Sequence, residues 1–101
     1  MIELMAGFGR NYVCTKSFFK NIEMLDGSSE MTKHMSPKVI RHQCKLEEFK
    51  WPEDEKYECI LGVFCLGYLT DLQILEIFSA AKRSLKAKGK LIMLEPVAYR
   101  K

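Results

Sequence analysis

Gly7, Gly9, Arg10 and Asp26 have the types and spacing best suited to chemistry in this chain. Ala6-Gly7-Phe8-Gly9-Arg10 closes a short apolar run, and Asp26 closes the next one, after Met24-Leu25. Two glycines one residue apart let the backbone turn tightly and let a ligand approach with no Cβ in the way. A strand that breaks into such a turn just before a helix is how a doubly wound sheet opens a nucleotide-type site. A carboxylate ending the second strand can accept both hydroxyls of a ribose.

A dinucleotide fingerprint wants a third glycine three residues after the second. That position is Tyr12, which argues against NAD or FAD. Arg10 supplies instead a planar fork of donors suited to a carboxylate. A cofactor with a carboxylate in place of a pyrophosphate fits better, and S-adenosylmethionine is one. Read alone, the turn is equally compatible with simple chain reversal, and Asp26 with a cap or turn residue before Gly27. Further along, Leu46-Glu47 offers a backbone N–H beside an apolar side chain and then an acceptor, a combination able to grip adenine, or else a solvated loop. Phe64, Cys65 and Tyr68 follow the fourth strand at the same rim, where the two aromatic rings are able to hold a substrate chain or a cation, or else serve core and loop packing.

The elements that must position these residues alternate between strand-like and helix-like patterns. Ile2 to Met5 reads as the tail of a strand, and Asn11 to Lys20 as a helix with Val13, Ser17 and Phe18 inward. Ile22 to Asp26 has strand length. Ser28-Ser29-Glu30 reads as a capped helix start, stopped by Ser36-Pro37. Lys38 to Cys44 is a third strand, Glu47 to Lys56 a polar loop around Trp51-Pro52, and Tyr57 to Phe64 the strongest strand, apolar enough to be covered on both faces. Thr70-Asp71-Leu72-Gln73 forms a capping box. Ile74, Ile77, Phe78, Ala81 and Leu85 then share one helix face, with Lys86 and Lys88 at the negative end and Gly89 as the stop. Leu91 to Leu94 is a last strand, closed by Glu95-Pro96. Such alternation implies right-handed crossovers and a mainly parallel sheet, α/β in class, with ligands at the carboxyl ends of the strands.

The chain has 101 residues and reads as a single domain, 1–101, with 48% hydrophobic and 29% charged residues, a globular balance. The net charge of +3 comes from lysines scattered among acids, so no basic stripe supports nucleic-acid binding. No apolar run is long enough to span a bilayer, and the first residues lack the charged start and cleavage site of a signal peptide. Cys14, Cys44, Cys59 and Cys65 form no CxxC pair and stand at no zinc spacing with His34 or His42, so they read as free thiols of a reducing compartment and no metal site is expected.

Taken together, these residues resemble the class I S-adenosylmethionine-dependent methyltransferases, and more narrowly the alpha-N-terminal protein methyltransferases, which act on proteins exposing X-Pro-Lys. Glu3-Leu4-Met5-Ala6-Gly7-Phe8-Gly9-Arg10 resembles that family's CGAGIGR turn, Met24-Leu25-Asp26-Gly27-Ser28 its MVDIT, and Cys44-Lys45-Leu46-Glu47-Glu48-Phe49 its CGLQDF. Gly67-Tyr68-Leu69-Thr70-Asp71 resembles GHLTD, and Ser84-Leu85-Lys86-Ala87-Lys88-Gly89 resembles SLRPNG.

The resemblance implies a Rossmann-like fold with a mainly parallel five-stranded sheet, helices on both faces, and no final strand hairpin. It implies S-adenosylmethionine as cofactor, bound by Gly7, Gly9, Arg10, Asp26, Leu46, Glu47 and Val63, with Phe64 and Tyr68 toward a peptide substrate. Tyr68 and Glu95 are the candidates for handling the substrate's proton. Three positions depart from the pattern: Val63 replaces a glutamine, Tyr68 a histidine, and Glu95-Pro96 an Asp-Asn pair. The implied activity is methyl transfer to the α-amine of a protein N-terminus, in the cytoplasm or nucleus. The alternative is a catalytically inactive methyltransferase-like domain serving as a binding subunit, joined to a partner chain or a second copy through an exposed sheet edge. Segments that the family carries before the glycine turn and after the fifth strand have no counterpart here, so the chain also reads as truncated at both ends, or as a fragment of a longer product.

Overall fold

In a computed structural model, which describes residues 1–96, the chain forms five strands and three α-helices. The strands are β1 (Ile2–Leu4), β2 (Glu23–Asp26), β3 (Ile40–Gln43), β4 (Tyr57–Val63) and β5 (Leu85–Leu94). The helices are α1 (Tyr12–Thr15), α2 (Ser29–Thr32) and α3 (Asp71–Ser84), with 3₁₀ turns at Leu46–Glu48 and Leu66–Tyr68. Every strand pair is parallel, and the order across the sheet is β3-β2-β1-β4-β5. Strand order reverses between β1 and β4, which makes the carboxyl ends of those two strands the switch point of the sheet.

Both faces of the sheet are covered, as the near-continuous apolar runs require. Leu25 and Ile60 pack on one face with Ile77 and Ala81 of α3. Met24 and Cys59, their neighbours in sequence, pack on the other with Met35 and Val39, flanked by Tyr12 and Phe19. The caps form as the sequence indicates. Ser28 Oγ accepts from the Met31 N–H at the start of α2, and Thr70 and Gln73 complete a reciprocal capping box at the start of α3.

Two expectations are corrected. The helix expected over Asn11 to Lys20 is a single turn, α1. Val13 and Phe18, expected to face inward, are 69% and 80% exposed. The N-cap position, Asn11, makes no capping bond because its side chain is spent on Glu3 instead. Uncapped and without buried residues, so short a segment has little to prolong it.

The second correction concerns the end of α3, which stops at Ser84 rather than at Gly89. Ser84 is fully buried, its hydroxyl donates to the Pro52 carbonyl at 2.7 Å, and its own carbonyl accepts from the Lys56 N–H at 2.9 Å. That bond draws Leu85 into register with Tyr57, so Leu85, Lys86 and Lys88 belong to β5. Gly89 serves an irregularity in that strand: Lys88 is left-handed at φ 66°, and a Cβ at residue 89 would lie 2.8 Å from the Lys86 carbonyl oxygen.

Candidate functional site

β1 ends in the turn that carries the glycines. Gly9 N–H donates to the Ala6 carbonyl and Tyr12 N–H to the Gly9 carbonyl, both at 3.0 Å. Gly7 and Gly9 are left-handed, at φ 62° and 85°. A Cβ on Gly9 would also press on the Met24 sulfur at 3.1 Å, so this turn closes over the sheet only with glycine there. Asp26, at the end of β2, pins the turn from the side. Its Oδ2 accepts from the Gly7 N–H and its Oδ1 from the Ser28 N–H, each at 2.9 Å. A carboxylate so oriented keeps acceptor capacity for hydroxyl groups while it fixes the turn beside it.

A cleft of about 330 Å³ opens at the switch point, within the range of small-molecule sites. From β1 and its turn come Glu3, Met5, Gly7, Phe8, Arg10 and Asn11, from α2 comes Met31, and from the end of β4 come Val63 and Phe64. Glu3 is the member that sequence reasoning missed as a site residue. It is 2% exposed, and its Oε2 accepts from the Asn11 amide at 2.8 Å, while its Oε1 is buried with no partner among the described residues. Burial pushes the Glu3 carboxyl up, and the Asn11 bond and the Arg10 guanidinium offset only part of that rise. The signal was available: a carboxylate inside an otherwise apolar strand leading to a glycine turn.

The cleft gathers Gly7, Arg10, Val63 and Phe64, with Asp26 bonded to Gly7 at its edge. Leu46 and Glu47 lie elsewhere. Leu46 is 3% exposed and joins the core, and both residues line a separate hollow against Gln73, Glu76 and Ile77 of α3. Tyr68 is 82% exposed and does not line the cleft. Glu95 Oε1 accepts from the Cys65 and Leu66 N–H groups at 3.0 and 2.9 Å, so that oxygen is committed to the backbone.

Chemically, the cleft is lined by the buried carboxyl group of Glu3 and by Arg10, close to a turn with no Cβ at Gly7. Those groups complement an ammonium and a carboxylate, the two ends of an amino acid. An amino-acid-bearing nucleoside such as S-adenosylmethionine therefore fits the residues present. Among the described residues, no group of three or more His, Cys, Asp or Glu side chains could hold a metal ion.

Comparison with solved structures agrees with the fold. An S-adenosylmethionine-dependent methyltransferase from Mesorhizobium loti superposes with a TM-score of 0.80 at 16% identity, over 91% of this chain and 44% of its own. CalS10, an amino pentose methyltransferase from Micromonospora echinaspora, gives 0.83 at 17%, over 95% and 42%. Phosphoethanolamine N-methyltransferase 1 from Haemonchus contortus gives 0.80 at 18%, over 93% and 21%. The chain thus spans less than half the length of each of these structures. No curated protein sequence matches significantly. The family model for AdoMet-dependent proline di-methyltransferases, by contrast, matches residues 1–101, and the chain belongs to that family.

Proposed function

We propose that this chain binds S-adenosylmethionine and takes part in methyl transfer to the α-amine of a protein N-terminus of the X-Pro-Lys type. The observation that supports it most is the meeting of Glu3 and Arg10 in the lining of one cleft, beside a glycine turn pinned by Asp26. When bound, the cofactor supplies an electrophilic methyl group on a sulfonium. The residues of this chain bind and orient. Glu3 and Arg10 would hold the amino-acid end and Asp26 the ribose, with Val63 beside the cofactor; Leu46 and Glu47, in their separate hollow, keep only the adenine role that the resemblance implies. Phe64 lines the cleft and would wall the approach of the peptide, while Tyr68, exposed outside the cleft, keeps only the peptide-facing role that the resemblance implies. The amine must lose a proton before it attacks; of the two residues the sequence offers for that transfer, Tyr68 stands outside the cleft and Glu95 has one oxygen committed to two N–H groups, so we assign no base.

Calorimetry with S-adenosylmethionine tests the cofactor reading. The parent should release heat on titration, and Asp26→Ala should bind about ten- to a hundredfold more weakly, because it loses the side-chain acceptor. No heat from the parent would sink the reading. Labelled cofactor with an X-Pro-Lys peptide then tests transfer. A second reading, a binding subunit without activity, is favoured by the engaged state of Glu95 and predicts cofactor binding with no label in the peptide. The free thiols Cys14, Cys44, Cys59 and Cys65 suit a reducing compartment, and we place the protein in the cytoplasm or nucleus. No helix among the described residues is long and apolar enough to cross a membrane.

A further inference from the structure

Two bulky residues of the cleft have left-handed backbones: Met5, at φ 49°, after β1, and Phe64, at φ 54°, after β4. A non-glycine residue persists in that region only when its surroundings over-determine it, at a cost in stability. For Phe64 the surroundings are identifiable, and they come from one place. Phe64 N–H donates to the Leu94 carbonyl at 2.8 Å. The next two N–H groups, of Cys65 and Leu66, both converge on Glu95 Oε1. Three successive amides after β4 are thus held by two successive residues at the end of β5. The carboxylate also stands at the start of the Leu66–Tyr68 turn, where unpaired N–H groups favour a negative charge. The Cys65 side chain beneath is fully buried, so the segment has little room to shift.

We propose that Glu95 is a positioning residue: by bridging the Cys65 and Leu66 N–H groups, it fixes Phe64 in its left-handed conformation as a wall of the cleft. This role rests on the cofactor-cleft reading for its purpose, but its geometry stands apart from it. The end of β5 then acts on the site through the backbone, without touching a substrate. A base would need Glu95 to gain and lose a proton. A clamp needs only an acceptor, which glutamine also provides.

The conformational test compares Phe64→Ala with Phe64→Gly, each in the parent and in Glu95→Ala, by thermal denaturation. While the left-handed backbone is enforced, glycine should melt about 5 °C above alanine. In Glu95→Ala the loop can relax, and the gap should close. A gap that survives unchanged in Glu95→Ala overturns the proposal. Glu95→Gln, which retains the acceptor, should keep the gap and melt near the parent.

The functional arm uses labelled cofactor and an X-Pro-Lys peptide. Glu95→Ala should raise the KM for peptide about tenfold, and Glu95→Gln should restore KM without altering the pH profile of kcat. Loss of a pH limb in Glu95→Gln would mark a base and overturn the positioning role. If the parent neither binds cofactor nor transfers methyl, the functional reading fails, and the melting comparison alone decides whether Glu95 sets the conformation of Phe64.

Discussion

Met5 shows how a single side chain can oppose its own backbone. Its φ of 49° favours glycine, and the left-handed region costs an ordinary residue about 1–2 kcal/mol. Yet its side chain is half-buried, packs against the core around Ile2 and Leu25, and lines the cleft. Replacing it removes both the packing and the strain, so a single substitution would mix the two. A pair separates them. Glycine in a regular segment is less stable than alanine by about 0.5–1 kcal/mol. At residue 5 the order should invert, with Met5→Gly melting above Met5→Ala by about 4–8 °C if the difference is near 1 kcal/mol. Equal melting points, or alanine above glycine, would show that the turn relaxes around residue 5. Asp26 could be read directly from the sequence, because a carboxylate closing an apolar run has few roles there. The conformation of Met5 could not, since methionine carries no mark of the left-handed region and only the closure of the turn imposes it.

Among the elements, β2, β3 and β4 are tied together on one face by a carboxylate that chain order conceals. Glu23 is buried at the start of β2, inside a segment that reads simply as apolar. Its Oε1 accepts from Tyr57 Oη at 2.9 Å and pairs with His42 Nε2 at 2.7 Å, and its Oε2 lies 2.9 Å from Lys56 Nζ. Burial alone would raise this carboxyl, but the bonds from Lys56, His42 and Tyr57 outweigh it and hold it below the ordinary 4.5. The same contact pushes the Tyr57 hydroxyl upward, after burial, so tyrosine remains the donor. A carboxyl lowered by folding contributes stability that is present above its unfolded value and lost as pH falls through its folded value. Glu3, raised by burial, works in the opposite sense: its contribution is present at low pH and lost as pH rises through its folded value. Glu23→Gln should therefore lower stability at neutral pH by about 2 kcal/mol and flatten the acid limb of the parent's curve below about pH 4.5. Glu58, also lowered, keeps part of that slope in place. Urea midpoints measured from pH 3 to 7 check this, and an unchanged acid limb would remove Glu23 from the account. Capping and apolar periodicity made α3 and β4 legible from local residues. The network was not legible, because its members are separated by up to 34 positions and meet only through the parallel register. The same reason hid the end of α3: Ser84 and Lys56 decide it, and they are distant in sequence.

At the scale of the molecule, the sheet sets the cleft between its two central strands and leaves β5 paired on one side only among the described residues. Along β5 the side chains divide. Leu91 and Met93 pack against the core, while Ile92 and Leu94 are 49% and 56% exposed. An unpaired strand with apolar side chains is a template for another chain, and soluble proteins blunt such edges with charge, above all lysine. Lys86, Lys88 and Lys90 already do so along the first half of the strand, but no charge follows from Leu91 to Leu94. Association should therefore run through the second half. In sedimentation velocity across a range of concentrations, the parent should show concentration-dependent association, and Ile92→Lys should shift it toward monomer. Because Ile92 is half-exposed, the change in melting temperature should stay within a few degrees, which separates a blunted edge from a damaged fold. A parent that remains monomeric at every concentration would show that the edge is silent in solution. Association that persists in Ile92→Lys would place the contact elsewhere, with the exposed Leu72 and Leu75 on α3 as the next surface to charge. The end of β5 also faces two ways. Ile92 is half-exposed, while the Leu94 carbonyl and the Glu95 carboxylate accept from the Phe64, Cys65 and Leu66 N–H groups, bonds that Ile92→Lys leaves intact.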